Sequence, residues 1–379
     1  MPRREPIRLW RRTPRPWHGM TVLPWLRLLS RNHFAVSPGR IPMALAVSAL
    51  APLHSTAALA QRVRFGRDLA HPADGPPPLF IIGHWRTGTT LLHELLALDP
   101  QFRCPSTLQC MAPAHHLVTG PIAARHLSRL LPEHRPLDEM RLRADLPQED
   151  EFALGNLGIS SPYQWWAFPR RRVDWGERLD PRDFPPEDRA RWERALRAFL
   201  GSLGAAGPGR PALKSPPHTA RLGLLAGMFP GALFVHAVRD PYEMIPSFLV
   251  AWRRMAASVA LQTGWRRDLD DFLLGLGPRL YRRFEQDRAR LEPGRVVDVR
   301  YEDLIADPAA ELERVYQALG LPHAERIPLL VDRYLTDIGE YRTNPHEAAP
   351  DLRRRITPLW EGYARRHGYR PDPPPPAAG

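Results

Sequence analysis

Short apolar runs alternate with longer amphipathic stretches along most of the chain. Three of the short runs, at residues 79–82, 232–238 and 295–300, have the length and composition of buried strands. Turn residues and a helical pattern follow each run, and after the first run Leu91, Leu92, Leu95 and Leu96 recur at helical spacing. This order is typical of βαβ units. We therefore predict an α/β fold of three layers, in which a central parallel sheet lies between helices.

The first 77 residues form a basic, apolar and helical segment that we separate from the rest of the chain. Twelve arginines lie within residues 1–79, against the acidic side chains Glu5, Asp68 and Asp74. Residues 41–60 carry no formal charge, and these twenty residues are as long as a membrane-spanning helix. The stretch is rich in alanine and contains prolines and hydroxyl side chains. A helix pair on a membrane surface, or a helical hairpin packed on the rest of the protein, therefore fits it better than a spanning helix.

A turn-rich stretch at residues 71–78 leads into the main domain, residues 78–370, and the proline-rich residues 371–379 are predicted to be a disordered tail. The net charge of +12 belongs mostly to the first segment. Because that segment is apolar and no reader motif is present, a nucleic-acid partner is not expected. Cys104 and Cys110 are too few for a disulfide framework or a four-ligand zinc site, and the scattered histidines predict no metal. A reducing cytoplasm is the expected compartment.

A glycine-rich loop joins the first predicted strand to its helix. Gly83 and Gly88 stand at the spacing of a Walker A loop. The backbone N–H groups of such a loop converge on an anion at the positive end of the helix dipole. Kinases and ATPases need a lysine after the second glycine, but this chain has Thr89 there and carries its cation inside the loop. We therefore predict a P-loop-like anion site, formed by Trp85, Arg86, Thr87, Gly88, Thr89 and Thr90.

A second junction between a strand and a helix begins at Arg239, at the carboxyl end of the second predicted strand. Asp240 is expected to cap the following helix, with Pro241 in its first turn and Glu243 closing a capping box. Ser247 follows the cap by about two helical turns, so its hydroxyl returns to the face of Arg239. An arginine and a hydroxyl on one face predict a second phosphate pocket.

One lysine, Lys214, is present among the 53 basic residues, and all the others are arginine. Such a bias indicates the codon usage of a GC-rich bacterium. A surviving lysine stands either by chance or at a position that needs a compact ammonium group and rejects a guanidinium.

Taken together, these motifs resemble those of the PAPS-dependent sulfotransferases, and most closely the large bacterial group of that family. PAPS is 3′-phosphoadenosine 5′-phosphosulfate. In the family one loop holds the 5′-phosphosulfate and an Arg…Ser pair holds the 3′-phosphate, as the loop and the pair Arg239 and Ser247 would here. The resemblance covers about residues 78–345 and includes residues 213–218, residues 299–304 and the segment around Tyr341 and Arg342. It implies PAPS as the co-substrate, with Arg342 as a further donor contact.

The resemblance also implies catalytic roles. Arg86 and the loop would bind the 5′-phosphosulfate, and Lys214 would stabilise the charge that develops on the bridging oxygen. The general base stays open, because one branch of the family uses a histidine, and another uses a glutamate where this chain has Thr107. We favour Glu149 or Glu151, in the acidic stretch at residues 147–152, over the alternatives His115 and His116. The acidic stretch would otherwise be only a solvated helix start.

The acceptor is indicated only by an aromatic stretch that contains Tyr163, Trp165, Trp166 and Phe168. These side chains form either an apolar acceptor wall or part of the core. Together with the basic N-terminal segment, they favour a hydroxylated lipid or another hydrophobic alcohol over an amine, and a sugar or a small metabolite stays open. The enzyme would be cytoplasmic, with a peripheral contact at the inner membrane face. A P-loop kinase and a non-catalytic, membrane-associated nucleotide-binding protein are the alternative functions.

Overall fold

The computed structural model describes residues 15–70, 75–127, 145–170, 176–264, 269–338 and 348–370. Five parallel strands form one sheet in the order β2-β3-β1-β4-β5. The predicted α/β fold with a central parallel sheet is confirmed. The strands are β1 (Leu79–Gly83), β2 (Phe102–Arg103), β3 (Arg210–Lys214), β4 (Leu233–Val238) and β5 (Val296–Arg300).

Sixteen α-helices are present in the described residues. They are α1 (Val22–Arg31), α2 (Ile41–Ala70), α3 (Thr89–Leu96), α4 (Thr107–Met111), α5 (His116–Leu127), α6 (Asp150–Asn156), α7 (Gln164–Ala167), α8 (Gly176–Leu179), α9 (Pro186–Ala205), α10 (Leu222–Met228), α11 (Pro241–Val259), α12 (Leu269–Arg288), α13 (Tyr301–Ala306), α14 (Pro308–Leu319), α15 (Ile327–Ile338) and α16 (Pro350–Arg366).

The central strand β1 divides the core into two layers. Its side chains alternate between the two faces of the sheet, as the two-residue period of a strand requires. Phe80 and Ile82 pack with α9, α10, α11, α12 and α16, whereas Leu79 and Ile81 pack with α3, α14 and α15. Every residue of β1 is buried, which explains why this strand is a continuous apolar run in the sequence.

The three predicted strands each begin within one residue of an observed strand. The sequence pattern did not predict β2 or β3. The first is only two residues long, and the second begins with Arg210 and Pro211. Proline and arginine conceal a strand whose remaining residues are buried. This strand matters for the site, because Lys214 is its last residue.

The N-terminal helices α1 and α2 pack on each other and on the main domain. The Trp25 indole donates to the Ser48 hydroxyl over 2.9 Å, and the Val22 N–H donates to the Ser55 hydroxyl over 3.0 Å, so the two helices run antiparallel. Gln61 joins α2 to α5 by accepting from the Leu117 N–H over 2.8 Å. The described part of the N-terminal segment is thus a pair of antiparallel helices in contact with α5, and the division of the chain at residue 77 stays a prediction. In the described ranges one helical stretch, Pro38–Gly66, is long and apolar enough to cross a membrane. It consists of most of α2 and the 3₁₀ turn before it. The predicted tail at residues 371–379 lies outside the described residues.

Candidate active site

The loop between β1 and α3 is held in a strained, tight conformation. Arg86 and Gly88 have φ values of +72° and +86°. A Cβ atom on Gly83 would lie 2.6 Å from the carbonyl oxygen of Ala237, so glycine is required where the loop leaves β1. The Thr87 hydroxyl donates to the carbonyl of His84 over 2.7 Å and closes the turn. The loop's own contacts therefore restrict its conformation.

The loop opens into the first turn of α3, whose N–H groups have no acceptor within the helix. Thr89 and Thr90 are the first two residues of that helix. Partial positive charge at this end of the helix favours a phosphate or sulfate group. The ammonium group of Lys214 lies beside the same turn and donates to the Thr90 hydroxyl over 3.3 Å. The loop and β3 thus direct donors and positive charge toward one point.

The residues of the second predicted pocket lie at the carboxyl end of β4 and the start of α11. Asp240 caps α11 by accepting from the Tyr242 N–H over 2.7 Å, and Pro241 is the first residue of the helix. The predicted capping box is wrong in one respect. Glu243 accepts instead from Arg239 Nη2 over 3.0 Å, because the guanidinium competes for that carboxylate, and the Asp240 N–H donates to Glu302 over 3.2 Å.

The residues of the two predicted anion pockets contact each other. Arg86 Nε donates to the Ser247 hydroxyl over 3.0 Å, and Arg239 Nη1 donates to the Arg86 carbonyl oxygen over 3.2 Å. The Arg239 guanidinium lies 4.2 Å from the centre of the Tyr301 ring. In the part of the chain that the structure describes, the buried Nε of Arg239 has no hydrogen-bond partner. Such a buried donor is available to an anion at this position.

The acidic stretch before α6 places one carboxylate at the loop. Glu149 Oε1 accepts from Lys214 Nζ over 2.7 Å, and Glu149 Oε2 accepts from the Tyr163 hydroxyl. The side chain of Lys214 is 1% exposed and that of Glu149 is 15% exposed. The carboxylate therefore remains accessible while its cation is buried.

The next two carboxylates turn into the core. Glu151 is fully buried and pairs with Arg221 through two contacts, one of 2.5 Å and one of 3.2 Å. Asp150 accepts from the Ser215 hydroxyl over 2.8 Å and from His218 Nε2 over 2.7 Å. Burial alone would raise the pKa of Asp150, but His218 and Ser215 outweigh it and hold the pKa below its usual value. The stretch is therefore more than a solvated helix start.

The two histidines proposed as alternative bases face the N-terminal helices and α9. His115 Nε2 lies 2.9 Å from His54 Nδ1 on α2, and His115 Nδ1 lies 2.8 Å from the Thr119 hydroxyl. His116 Nε2 lies 2.9 Å from the Ser202 hydroxyl on α9. Burial lowers the pKa of each of the two to about 4. In the described residues, neither histidine has a hydrogen-bond partner in the loop between β1 and α3.

The aromatic stretch is buried as part of one large cluster. Trp165, Trp166 and Phe168 belong to the core that also contains Trp252 on α11. Tyr163 differs from its neighbours, because its hydroxyl also accepts from the Trp85 indole N–H over 3.0 Å. The sequence analysis assigned Tyr163 only to an acceptor wall or the core. Its polar role had no sequence signal, since its partners are 14 and 78 residues away.

Arg342 lies outside the described residues, so its donor contact stays a prediction. In the described ranges, no group of three or more His, Cys, Asp or Glu side chains could hold a metal ion.

The chain is similar to known sulfotransferases in sequence and in fold. The family model described as 'Sulfotransferase family' matches residues 77–325. Proteins named omega-hydroxy-beta-dihydromenaquinone-9 sulfotransferase Stf3, from Mycobacterium bovis and Mycobacterium tuberculosis, are each 37% identical over 369 residues, which cover 97% of this chain and 95% of the relative. The crystal structure of sulfotransferase STF9 from Mycobacterium avium has a TM-score of 0.65 at 20% identity, covering 88% of this chain and 87% of its own. The crystal structure of sulfotransferase STF1 from Mycobacterium tuberculosis has a TM-score of 0.53 at 18% identity, and the match covers 90% of this chain and 88% of that one.

Proposed function

This chain belongs to the sulfotransferase family as a PAPS-dependent enzyme, and we propose that it sulfates the hydroxyl group of a hydrophobic, lipid-type alcohol with Glu149 as its general base. The observation that carries the assignment of the base is the Glu149 carboxylate, held between Lys214 and Tyr163 at the edge of the phosphate loop. Family membership and the Thr89 that replaces the kinase lysine disfavour a P-loop kinase.

The reaction exchanges one bond to sulfur for another. The acceptor oxygen forms a bond to sulfur while the bond between sulfur and the bridging phosphate oxygen breaks, and adenosine 3′,5′-bisphosphate leaves. Glu149 takes the proton of the acceptor hydroxyl, and Lys214 offsets the negative charge that grows on the bridging oxygen. Glu151 is not assigned this role, because its carboxylate already pairs with the buried Arg221.

The donor is held by residues from both pockets. Trp85, Arg86, Thr87, Gly88, Thr89 and Thr90 line the loop that would hold the 5′-phosphosulfate. The Arg239 guanidinium and the Ser247 hydroxyl would hold the 3′-phosphate, and Arg342 is a further donor contact in this proposal. The unpartnered Nε of Arg239 supports the assignment, since a phosphate oxygen would satisfy it.

The acceptor class is drawn from the related protein and from the surroundings of Glu149. The related protein's name states that its acceptor is an omega-hydroxylated dihydromenaquinone, a long apolar molecule that ends in a hydroxyl group. Around the base of the present chain, Phe152, Tyr163 and Trp166 form an aromatic cluster. Tyr163 and Trp166 are buried in the core and Phe152 is only partly buried, so Phe152 is the ring of this cluster that an acceptor would contact. An apolar ring beside a proton acceptor suits an isoprenoid alcohol better than a sugar.

The test of the base measures sulfuryl transfer from radiolabelled PAPS to an omega-hydroxylated menaquinone in detergent micelles. We expect Glu149→Gln to lower kcat by about 10²- to 10⁴-fold, because the amide cannot accept the proton. Glu193→Gln is the matched control, since Glu193 forms an exposed pair with Arg189 on α9. Transfer by Glu149→Gln at the unaltered rate would refute the assigned base.

The donor site has its own test. Adenosine 3′,5′-bisphosphate should raise the melting temperature of the protein, because a ligand that binds only the folded state stabilises it. ATP with magnesium should not. We expect the shift to disappear in Arg239→Ala and to persist in Glu149→Gln. An unchanged shift in Arg239→Ala would contradict the 3′-phosphate assignment.

We also propose that the enzyme works in the cytoplasm against the inner membrane face, through the outer side of α2. Ile41 and Leu59, and likewise Leu45 and Val63, are separated by five full helical turns and share one face. Leu45, Leu59 and Val63 are 62%, 61% and 80% exposed. Exposed Arg62 adjoins this face, and cations beside an exposed apolar stripe favour an anionic lipid surface.

Vesicle sedimentation tests this contact. We expect the protein to sediment with vesicles of anionic phospholipid and to be released by the double substitution Leu45→Glu and Val63→Glu. Leu329→Glu is the control, because Leu329 on α15 is 56% exposed in the main domain. Equal sedimentation of both variants would rule out the α2 surface as the contact.

A further inference from the structure

Two side chains donate hydrogen bonds to Glu149, and the role of one of them, Tyr163, follows from its own contacts. Lys214 donates to one carboxylate oxygen and the Tyr163 hydroxyl donates to the other. A carboxylate with a donor on each oxygen has a fixed orientation, and each oxygen still has a lone pair for an acceptor hydroxyl.

The Tyr163 hydroxyl is itself fixed by the phosphate loop. The indole N–H of Trp85 donates to it over 3.0 Å, and Trp85 lies within the loop, next to Arg86. The phenol therefore accepts from the loop and donates to the base. Burial, followed by the charge of Glu149, raises the pKa of Tyr163 well above its usual value, so the phenol keeps its proton at neutral pH.

The ring of Tyr163 is held as firmly as its hydroxyl. It stacks on Trp166 with 4.4 Å between ring centres and an angle of 19°, and Phe152 lies 5.0 Å away. A rigid ring transmits the position of the loop to the carboxylate, whereas a mobile one would not. Lys214 forms a second connection between Glu149 and the loop, because it donates both to that carboxylate and to the Thr90 hydroxyl at the start of α3.

On this geometry we infer that Tyr163 is a positioning residue for sulfuryl transfer, which couples the place of the Glu149 carboxylate to the loop that binds the donor. The inference rests on the proposed function, in which Glu149 is the base. Tyr163 touches neither the donor nor the sulfur in this role. It sets the distance and orientation at which Glu149 meets the acceptor hydroxyl.

The test compares two buried tyrosines that each donate to a carboxylate. Tyr163→Phe removes the hydroxyl next to Glu149. Tyr316→Phe is the matched control, because Tyr316 donates to Asp99 over 2.9 Å on the other side of the sheet. We expect kcat to fall about 10- to 100-fold in Tyr163→Phe, with a smaller change in the KM for PAPS, since the loop loses one contact at Trp85 while Arg239 and Ser247 keep theirs. Tyr316→Phe should keep the wild-type kcat.

A second acceptor separates positioning from a loss of stability. The hydroxyl of an aryl alcohol loses its proton more readily than that of an alkyl alcohol, so its sulfation depends less on a well-placed base. We therefore expect the loss of kcat in Tyr163→Phe to be smaller with an aryl alcohol than with the omega-hydroxylated menaquinone. A variant that had only lost folded protein would show the same loss with both acceptors.

Three results would overturn the inference, and each identifies a different failure. If Glu149→Gln is inactive but Tyr163→Phe matches Tyr316→Phe in kcat with both acceptors, only the role of Tyr163 is wrong. If Glu149→Gln keeps its activity, the base is wrong and Tyr163 has nothing to position. If the wild type forms no sulfated product, the proposed function itself fails. Melting temperatures of all variants identify any that have unfolded.

Discussion

Two clusters of buried charge lie side by side where α6 begins, and they are built from consecutive residues. In the first, Glu149 contacts Lys214 and Tyr163 and remains partly exposed at the edge of the phosphate loop. In the second, Glu151 pairs with Arg221 and is fully enclosed by the core. Both clusters contain a carboxylate and a cation at hydrogen-bond distance.

The difference between the clusters is in their remaining contacts. Arg221 also donates to the Leu179 carbonyl over 2.7 Å and lies over the Trp192 ring, so the second cluster connects α8 and α9 with α6 and with the short helix that follows β3. The first cluster is linked instead to Thr90 and Trp85 in the donor loop. Burial and pairing alone therefore do not identify a reactive carboxylate. In the proposed function, Glu149 is distinguished by its partial exposure and by its indirect connection to the loop between β1 and α3 through Lys214 and Tyr163.

Apart from the loss of the base itself, the largest effect should come from removing the cation of the first cluster. We expect Lys214→Met to lower kcat by about 10²- to 10³-fold, because in the proposed mechanism the charge on the bridging oxygen loses the ammonium group that offsets it. Lys214→Arg restores the charge but not the compact ammonium, so we expect it to remain about 10²-fold below the wild type. Transfer rates and the melting-temperature shift with adenosine 3′,5′-bisphosphate are the measurements. Unaltered transfer by Lys214→Met would place the reaction elsewhere.

The first cluster was only half predictable from the sequence. The loop and its helix follow from local chemistry, since Gly83 and Gly88 at a fixed spacing after an apolar strand leave few other conformations. Lys214 was singled out because it is the lone lysine. The contact between Tyr163 and Trp85 was not predictable, because two residues 78 apart meet only through the packing of a whole layer.

The choice between adjacent carboxylates could not be made from the sequence either. Successive residues at a helix start point in different directions, and tertiary packing decides which of them faces the core. Glu149 and Glu151 were therefore equal candidates until Arg221 was placed beside the second. The partner Arg221 belongs to a short 3₁₀ helix, Pro216–Arg221, that follows a strand the apolar pattern did not indicate.

A stability experiment tests the second cluster. We expect Glu151→Gln to lower the free energy of unfolding by about 3–5 kcal/mol, because Arg221 then keeps a buried charge without its counter-ion. Below its melting temperature the variant should transfer sulfate within a few-fold of the wild-type rate. Denaturant unfolding gives the first quantity and initial rates give the second. Glu193→Gln provides the control, since an exposed pair is worth about 0–1 kcal/mol. A stable but inactive Glu151→Gln would erase the distinction between the clusters.

The smallest expected effect is the acid sensitivity of Asp150, which joins the second cluster through His218 and Ser215. Burial opposes its ionisation, but these two partners outweigh burial and hold its pKa below the usual value. The folded protein therefore binds this proton less readily than the unfolded chain does. A carboxylate of this kind adds stability above the unfolded pKa of about 3.9 and loses that contribution as the pH falls through and below it.

We accordingly expect Asp150→Asn to be less stable than the wild type by about 1–3 kcal/mol at pH 7, and the gap to narrow as the pH falls from 5 toward 3. Melting temperatures across that range are the measurement. Asp332→Asn, at an exposed position on α15, should show no gap that changes with pH. A gap of constant size in Asp150→Asn would mean that its hydrogen bonds stabilise the fold without any contribution from its charge. Ionic stabilisation in the second cluster would then come from the pair of Glu151 and Arg221, and Asp150 would contribute only hydrogen bonds.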